Sequence, residues 1–90
     1  MNIERQPVIH DLKCESEYFD AQKSGRKPFE LRPDDRDYIV GDILRLKRSH
    51  NGAFGKNADT FRVRVLYILR NYKGLQPGYC IMGTEPDVQD

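Results

Sequence analysis

The segment best suited to chemistry runs from Gly25 to Arg32 and reads GRKPFELR. It brings a cation, a carboxylate and a planar guanidinium together as Lys27, Glu30 and Arg32. Such a group can hold a phosphate, a nucleotide or the polar edge of a base. It also fits a plain Glu30–Arg32 ion pair on a solvated face, which contributes little to stability.

The order of residues in this segment predicts which side chains share a face. Alternate residues of a strand point to opposite sides. We therefore expect Phe29 and Leu31 to enter a core, and Glu30 and Arg32 to line a surface beside the Lys27 loop.

The elements that must position these residues are one helix and five short strands. Apolar alternation and turn residues predict strands in segments 7–13, 29–32, 43–48, 60–70 and 79–82, and a helix over 15–24. In the longest strand Phe61, Val63, Val65, Tyr67 and Leu69 are expected on one face. The pattern predicts a single domain over residues 1–90, α+β and mostly β, folded as a small, partly closed β-barrel with an ordered core over about 7–83 and short polar tails.

The helix is expected to bury Cys14, Tyr18 and Ala21, which recur at helical spacing, with Phe19 widening the stripe. Gly25 follows it and can adopt the left-handed conformation that ends a helix. The tail over 84–90 is polar and is expected to be loose.

The charge of the chain is unevenly placed. The net charge is +1, yet residues 45–73 hold eight Lys and Arg against a single Asp. Such a segment favours a polyanion partner, whose backbone would be contacted by Arg45, Lys47, Arg62 and Arg64. The alternative is that strands need charged outer faces to stay soluble.

Tyrosines are the candidates for base stacking, chiefly Tyr38 and Tyr72. Tyrosines also often lie half-buried with a wet hydroxyl group. Both interpretations remain open from the sequence.

Metal binding is not predicted. A zinc site from Cys14, Cys80, His10 and His50 lacks the usual ligand spacing, so the cysteines are expected to be buried thiols and His10 to be structural. The aspartates of segment 34–37 surround Arg36 and fit a solvated turn better than a cation site.

No apolar run reaches the ~18 residues that a membrane helix needs, and the first residues lack the apolar core of a signal peptide. The expected location is the cytoplasm, without membrane association.

The spacing G-x-K-x-x-E-x-R, at Gly25, Lys27, Glu30 and Arg32, resembles the signature of the ASCH domain, a branch of the PUA-like β-barrel superfamily. The resemblance covers most of the chain. Its matching segments are HDLK at 10–13, EYF at 17–19, KPFELR at 27–32, DRD at 35–37, VGD at 40–42 and GLQPGY at 74–79, and together they resemble the DUF3850 group of small bacterial and phage proteins.

The resemblance implies an RNA- or nucleotide-binding module whose ligand is contacted by Lys27, Glu30 and Arg32. No cofactor is expected, and Lys27 and Glu30 are the candidates for any catalytic role. An alternative implied by related small proteins is an amidohydrolase that deacylates N4-acetylcytidine with a lysine, a threonine and a glutamate. Lys27 matches the lysine, but Glu30 stands at the threonine position, and the partner carboxylate has no clear match. A second alternative is a phage-type accessory or inhibitor that binds a protein. The expected state is a monomer or weak dimer.

Overall fold

The computed structural model describes residues 5–55 and 58–88. Its elements are β1 (Ile9–Glu15), α1 (Ser16–Lys23), β2 (Phe29–Pro33), β3 (Ile43–Ser49), β4 (Thr60–Arg70) and β5 (Tyr79–Pro86). The prediction of five strands and one short helix is confirmed within the described residues. The N-terminal residues 1–4 and the last two residues of the predicted tail lie outside them.

The five strands form one curled sheet, a half-barrel, in the order β1-β3-β4-β5-β2. β1 runs parallel to β3, and the other neighbouring pairs are antiparallel. β1 and β2 are therefore the two edges of the sheet. The guanidinium of Arg32, on β2, donates a 2.7 Å hydrogen bond to the carbonyl oxygen of Lys13 on β1. We call the gap between these two edges the seam.

The concave side of the sheet holds the core. Apolar side chains from β1, β3, β4 and β5 point inward, and α1 adds Phe19 and the loop before β3 adds Tyr38. The buried apolar residues are Leu12, Cys14, Phe19, Tyr38, Leu44, Leu46, Val63, Val65, Cys80 and Met82. This strict alternation on the central strands is the pattern that the sequence predicts.

The facing predicted for β4 is wrong beyond Val65. The ladder between β4 and β5 shifts register between Val65 and Tyr67, so Leu66 is an extra residue in the strand. Because one added residue reverses the facing of all that follow, Tyr67 points outward and Ile68 packs against the core. The apolar face that alternation predicts for β4 therefore ends at Leu66, the bulged residue.

Two further expectations need correction. Tyr18 is exposed, and α1 buries Phe19 and Gln22 instead of the predicted stripe, since Cys14 belongs to β1. The tail is not loose from residue 84, because β5 continues to Pro86 and the backbone N–H of Asp87 bonds to the carbonyl oxygen of Arg62. No helix within the described ranges is long and apolar enough to cross a membrane.

Candidate functional site

The turn after α1 delivers Lys27 to the seam. Gly25 adopts φ +83°, as predicted for a residue that ends a helix. The N–H groups of Ser24 and Lys27 bond back to the carbonyl oxygens of Asp20 and Ala21 at 2.9 and 3.0 Å. Pro28 then fixes an extended entry into β2. The position of Lys27 is therefore set by hydrogen bonds of the backbone.

The facing of β2 is the reverse of the prediction. Glu30 opposes Met82 of β5 and points into the concave side, with only 3% of its side chain exposed. Phe29 and Leu31 lie on the outer face, where both are exposed. The alternative of a solvated Glu30–Arg32 pair is therefore wrong as well, because the carboxylate is buried.

Three side chains satisfy the buried carboxylate. The Lys27 ammonium and the Gln22 amide donate to Glu30 Oε1 at 2.9 and 3.0 Å, and the Arg32 Nε–H donates to Oε2 at 2.9 Å. Gln22 also donates to the carbonyl oxygen of Phe29 at 2.7 Å, as Lys27 does at 2.9 Å. We call Lys27, Glu30 and Arg32 the triad, and the structure brings all three together as the sequence predicted.

The triad carries one net positive charge, since two cations share one carboxylate. Burial opposes the ionisation of Glu30, but the hydrogen bond from Lys27 and the charge of Arg32 hold its pKa below the ordinary value. Glu30 is therefore ionised at neutral pH, and both of its oxygens are engaged.

The seam opens into a cleft of about 680 Å³ beside the triad. β1 lines it with Lys13, Cys14 and Glu15, β2 lines it with residues 29–32, and Tyr18, Arg26 and Lys27 complete the wall. We call this space the seam cleft. Its walls combine cations with apolar surface, which is the make-up of a ligand site.

Two aromatic residues of this wall were not predicted as functional. Tyr18 is 51% exposed and Phe29 is 43% exposed, and their ring centroids lie 5.6 and 4.9 Å from the Lys27 ammonium. No signal in the sequence marks them as functional, because each also fits an apolar stripe. By contrast, Tyr38 is 2% exposed and packs edge-on against His10, so its ring is not accessible to a base. Tyr72 is exposed on the β4–β5 turn, where its stacking role stays a prediction.

Most of the predicted basic residues are neutralised by nearby carboxylates. Arg45 pairs with Asp11, and Arg62 and Arg64 both pair with Asp87, at 3.1 and 2.7 Å. The partners come from acidic parts of the chain that are distant in sequence. The uneven charge of the sequence is thus largely cancelled in space.

Lys47 differs from these arginines. Its ammonium lies 4.5 Å from the ring centroid of Phe54, and the Lys13 ammonium lies 5.3 Å from the same centroid. Neither lysine has a carboxylate partner among the described residues.

A second buried polar group is structural. The Asp42 carboxylate lies 2.7 Å from His10 Nε2 and accepts hydrogen bonds from the Arg5 guanidinium and two backbone N–H groups. Burial opposes its ionisation, but the hydrogen bonds from Arg5 and His10 hold the pKa of Asp42 well below its usual range. These contacts tie the start of the described chain to the turn before β3, which agrees with a structural His10.

The cysteines are buried thiols, as predicted, and burial raises the pKa of Cys14 to about 11. The described residues contain no group of three or more His, Cys, Asp or Glu side chains placed to hold a metal ion. In the predicted polar turn, Asp34 is paired with Arg70.

Comparison with known families gives a match over most of the chain. The model of a family described as "Domain of unknown function (DUF3850)" matches residues 9–84. The matched region runs from the first residue of β1 into β5 and so contains the whole triad. A search of curated proteins gives no match.

Proposed function

The chain belongs to the DUF3850 family, and from that premise we propose that it binds RNA or a nucleotide, with one nucleotide unit in the seam cleft. We also propose that the half-barrel is an ASCH domain of the PUA-like superfamily. The spacing of Gly25, Lys27, Glu30 and Arg32 supports this assignment.

The observation that carries the proposal is the triad, in which two partly exposed cations surround the buried carboxylate of Glu30 and leave an excess of positive charge. Lys27 and Arg32 each donate one hydrogen bond to Glu30 and one to a backbone carbonyl oxygen. An ammonium and a guanidinium keep further N–H donors beyond these. Because Glu30 and the backbone contacts hold both cations at the cleft wall, little ordering remains to be done when an anion binds.

The aromatic residues supply the second requirement of a nucleotide site. Tyr18 and Phe29 expose their rings at the cleft wall, close to Lys27. Bases of unpaired nucleotides stack on such rings, at ~1–3 kcal/mol per base. A cleft with cations and exposed rings therefore suits a phosphate and its base together.

The test is a titration of the purified protein with the four ribonucleoside 5′-monophosphates and with a short single-stranded oligoribonucleotide. Tyr18→Leu should weaken binding by about tenfold, because a base–ring contact is lost. Tyr67→Leu is the matched control, an exposed tyrosine outside the cleft wall. Equal affinity in the parent protein and in a variant that combines Tyr18→Leu with Phe29→Leu would refute a stacking site in the seam cleft.

Arg32→Gln tests the cationic part, and its thermal unfolding is recorded beside its affinity because Arg32 also bonds to Glu30 and Lys13. Lys73→Gln, on the β4–β5 turn, is its control. If none of the probes binds the parent protein at millimolar concentration, the proposal fails as a whole.

A hydrolase is the second candidate, favoured by one observation. The Thr84 hydroxyl donates to Gln22 Oε1 at 3.4 Å, and Gln22 bonds to Glu30, so a lysine, a glutamate and a threonine share one cluster. Against it, Thr84 is buried and does not contact Lys27 or Glu30 directly. An activated nucleophile needs its base within hydrogen-bond reach. Release of acetate from N4-acetylcytidine by the parent protein, lost in Thr84→Val, would favour this candidate over pure binding.

A protein partner is the third candidate, favoured by the outer face of β4, β5 and β2. Two apolar rows cross these strands, because Tyr67, Gly83 and Phe29 lie in register, as do Leu69, Ile81 and Leu31. Several of these side chains are exposed, and exposed apolar patches mark interaction surfaces. Light scattering of the parent protein and of Leu31→Glu would show whether this face makes dimers.

A further inference from the structure

The outer face of β1 and β3 is arranged in rows of opposite residues. Asp11 lies opposite Arg45, and the two side chains form an ion pair. In the next row on the same face, Lys13 lies opposite Lys47. Like charges directly opposite one another destabilise a sheet, so this second row works against folding.

The Phe54 ring brings these two lysines together. It comes from the loop between β3 and β4, and both ammonium groups lie within 5.3 Å of its centroid. The face of an aromatic ring attracts cations, which offsets part of the repulsion. Strand pairing and the ring together therefore place two positive charges at one point of the outer face.

The lysine pair borders a second cavity of about 710 Å³. Lys13 and Arg32 line both this cavity and the seam cleft, so the two spaces adjoin. Arg36 and the paired Arg45 also line it, and Asp11 is the one carboxylate among its lining residues. The cavity thus continues the seam cleft with excess positive charge.

We infer that Lys13, Lys47 and Phe54 form a subsite for a second phosphate group of the ligand in the seam cleft. This inference rests on the proposed function and extends it: the ligand carries at least one phosphate beyond the first. Two sources share that chemistry, namely the neighbouring phosphate of an RNA strand and the outer phosphates of a nucleoside triphosphate.

The cations of this row are available to such a group. Each lysine interacts with the ring through its charge and retains its N–H donors, with no carboxylate partner in the described part of the chain. A phosphate placed between them would remove the repulsion of the row. Ligand binding would then relieve a cost that the folded protein carries alone.

The experiment compares Lys47→Gln with the parent protein, using three probes: a nucleoside 5′-monophosphate, the matching 5′-triphosphate and a single-stranded tetraribonucleotide. Lys47 lines the second cavity and not the seam cleft, so monophosphate affinity should stay within twofold. Affinity for a probe that reaches the subsite should fall about tenfold. For the tetranucleotide, the salt slope should also fall by about 0.7, the value of one phosphate contact on a single strand.

Lys47→Arg should retain the affinity of the parent protein for all three probes. Lys73→Gln removes a cation that lies outside both cavities, so it should leave the affinities for all three probes unchanged. Loss with the triphosphate alone would identify a polyphosphate ligand, and loss with the tetranucleotide alone would identify a strand. If Lys47→Gln equals Lys73→Gln with every probe, the subsite is refuted while monophosphate binding still upholds the seam cleft. If no probe binds the parent protein, both proposals fall.

A structural role is separated by thermal unfolding. Removing one of two opposed lysines should leave the melting temperature unchanged or raised. A lowered melting temperature with unchanged affinity would mean that Lys47 supports the fold, and the inference would then be wrong.

Discussion

Glu30→Gln tests whether the triad is a buried ionic group. The substitution keeps the shape of the side chain and removes its charge. Both carboxylate oxygens of Glu30 accept hydrogen bonds, from Lys27 and Gln22 on one side and from Arg32 on the other. The amide nitrogen of the substituted side chain would therefore face an N–H donor in either orientation. Lys27 and Arg32 would lose their shared counter-charge.

The magnitude follows from the burial of the three groups. Removing one partner of a buried pair costs ~3–5 kcal/mol, because an uncompensated charge stays behind. Here Glu30 is 3% exposed, but the side chains of Lys27 and Arg32 are 19% and 20% exposed, so water can partly solvate them. We therefore expect a loss of about 2–4 kcal/mol, which is a large fraction of the ~5–13 kcal/mol expected for a chain of this length.

The assay is equilibrium unfolding in urea, followed by far-ultraviolet circular dichroism at neutral pH. Glu85→Gln is the matched control, since Glu85 pairs with Arg64 at 3.0 Å with both side chains about 45% exposed. An exposed pair contributes ~0–1 kcal/mol and weakens with salt, whereas a buried pair is screened much less. If Glu30→Gln loses no more stability than Glu85→Gln, the Glu30 carboxylate is solvated and does not form a buried ionic group with Lys27 and Arg32.

Three further outcomes are expected. Gly25→Val should lower the free energy of unfolding by ~1–2 kcal/mol, and Gly25→Asn should lower it less. A Cβ at φ +83° meets no atom within 4 Å, so only the backbone conformation is strained, and Asn tolerates that conformation better than Val. Equal urea midpoints for the two variants would contradict this. Acid should destabilise the protein, because folding lowers the pKa values of Glu30 and Asp42 from their ordinary 4.5 and 3.8. The stability that these two groups contribute is present above those ordinary values and is lost as the pH falls through the pKa values of the folded protein. Urea midpoints measured against pH should therefore fall less steeply for Asp42→Asn than for the parent protein. Cys14 should resist alkylation at pH 8 until urea unfolds the chain, because its thiol is buried and has a pKa of about 11. Rapid labelling of Cys14 in the native protein would contradict that burial.

The central strands could be predicted because their alternation is unambiguous. Leu44 and Leu46 face inward, and the bounds predicted for β4 are those of the structure. Gly25 was predictable for a local reason, since few other residues tolerate its conformation. The triad was predictable as a group because Glu30 and Arg32 are alternate residues of one strand and share a face, and Lys27 lies three residues before Glu30, in the turn that leads into β2.

The facing of β2 was not predictable in the same way. Alternation shows that Phe29 and Glu30 lie on opposite faces, but not which of the two is inside. Apolar residues are usually buried, and that rule fails here because Gln22, Lys27 and Arg32 satisfy Glu30 inside the half-barrel. Gln22 lies on α1, so its contribution depends on how the helix packs beside the strand.

The cancellation of the basic segment had a similar cause. The charges of residues 45–73 meet carboxylates that are distant in sequence, such as Asp11 and Asp87. Only strand pairing brings them together, and net charge along the chain contains no information about that pairing. Lys47 could not be told apart from Arg45 until Phe54 and Lys13 were placed.

The groups that suit a ligand with a phosphate and an aromatic base adjoin one another at the seam. The buried carboxylate of Glu30, the opposed row of Lys13 and Lys47, and the exposed ring of Tyr18 all line one of two adjoining cavities. Cations held in place by a carboxylate, next to an exposed ring, are together what a phosphate and its base require. This concentration is the physical reason to look for the ligand at the seam, and it sets the order of experiments: phosphate probes first, hydrolysis second and protein partners third.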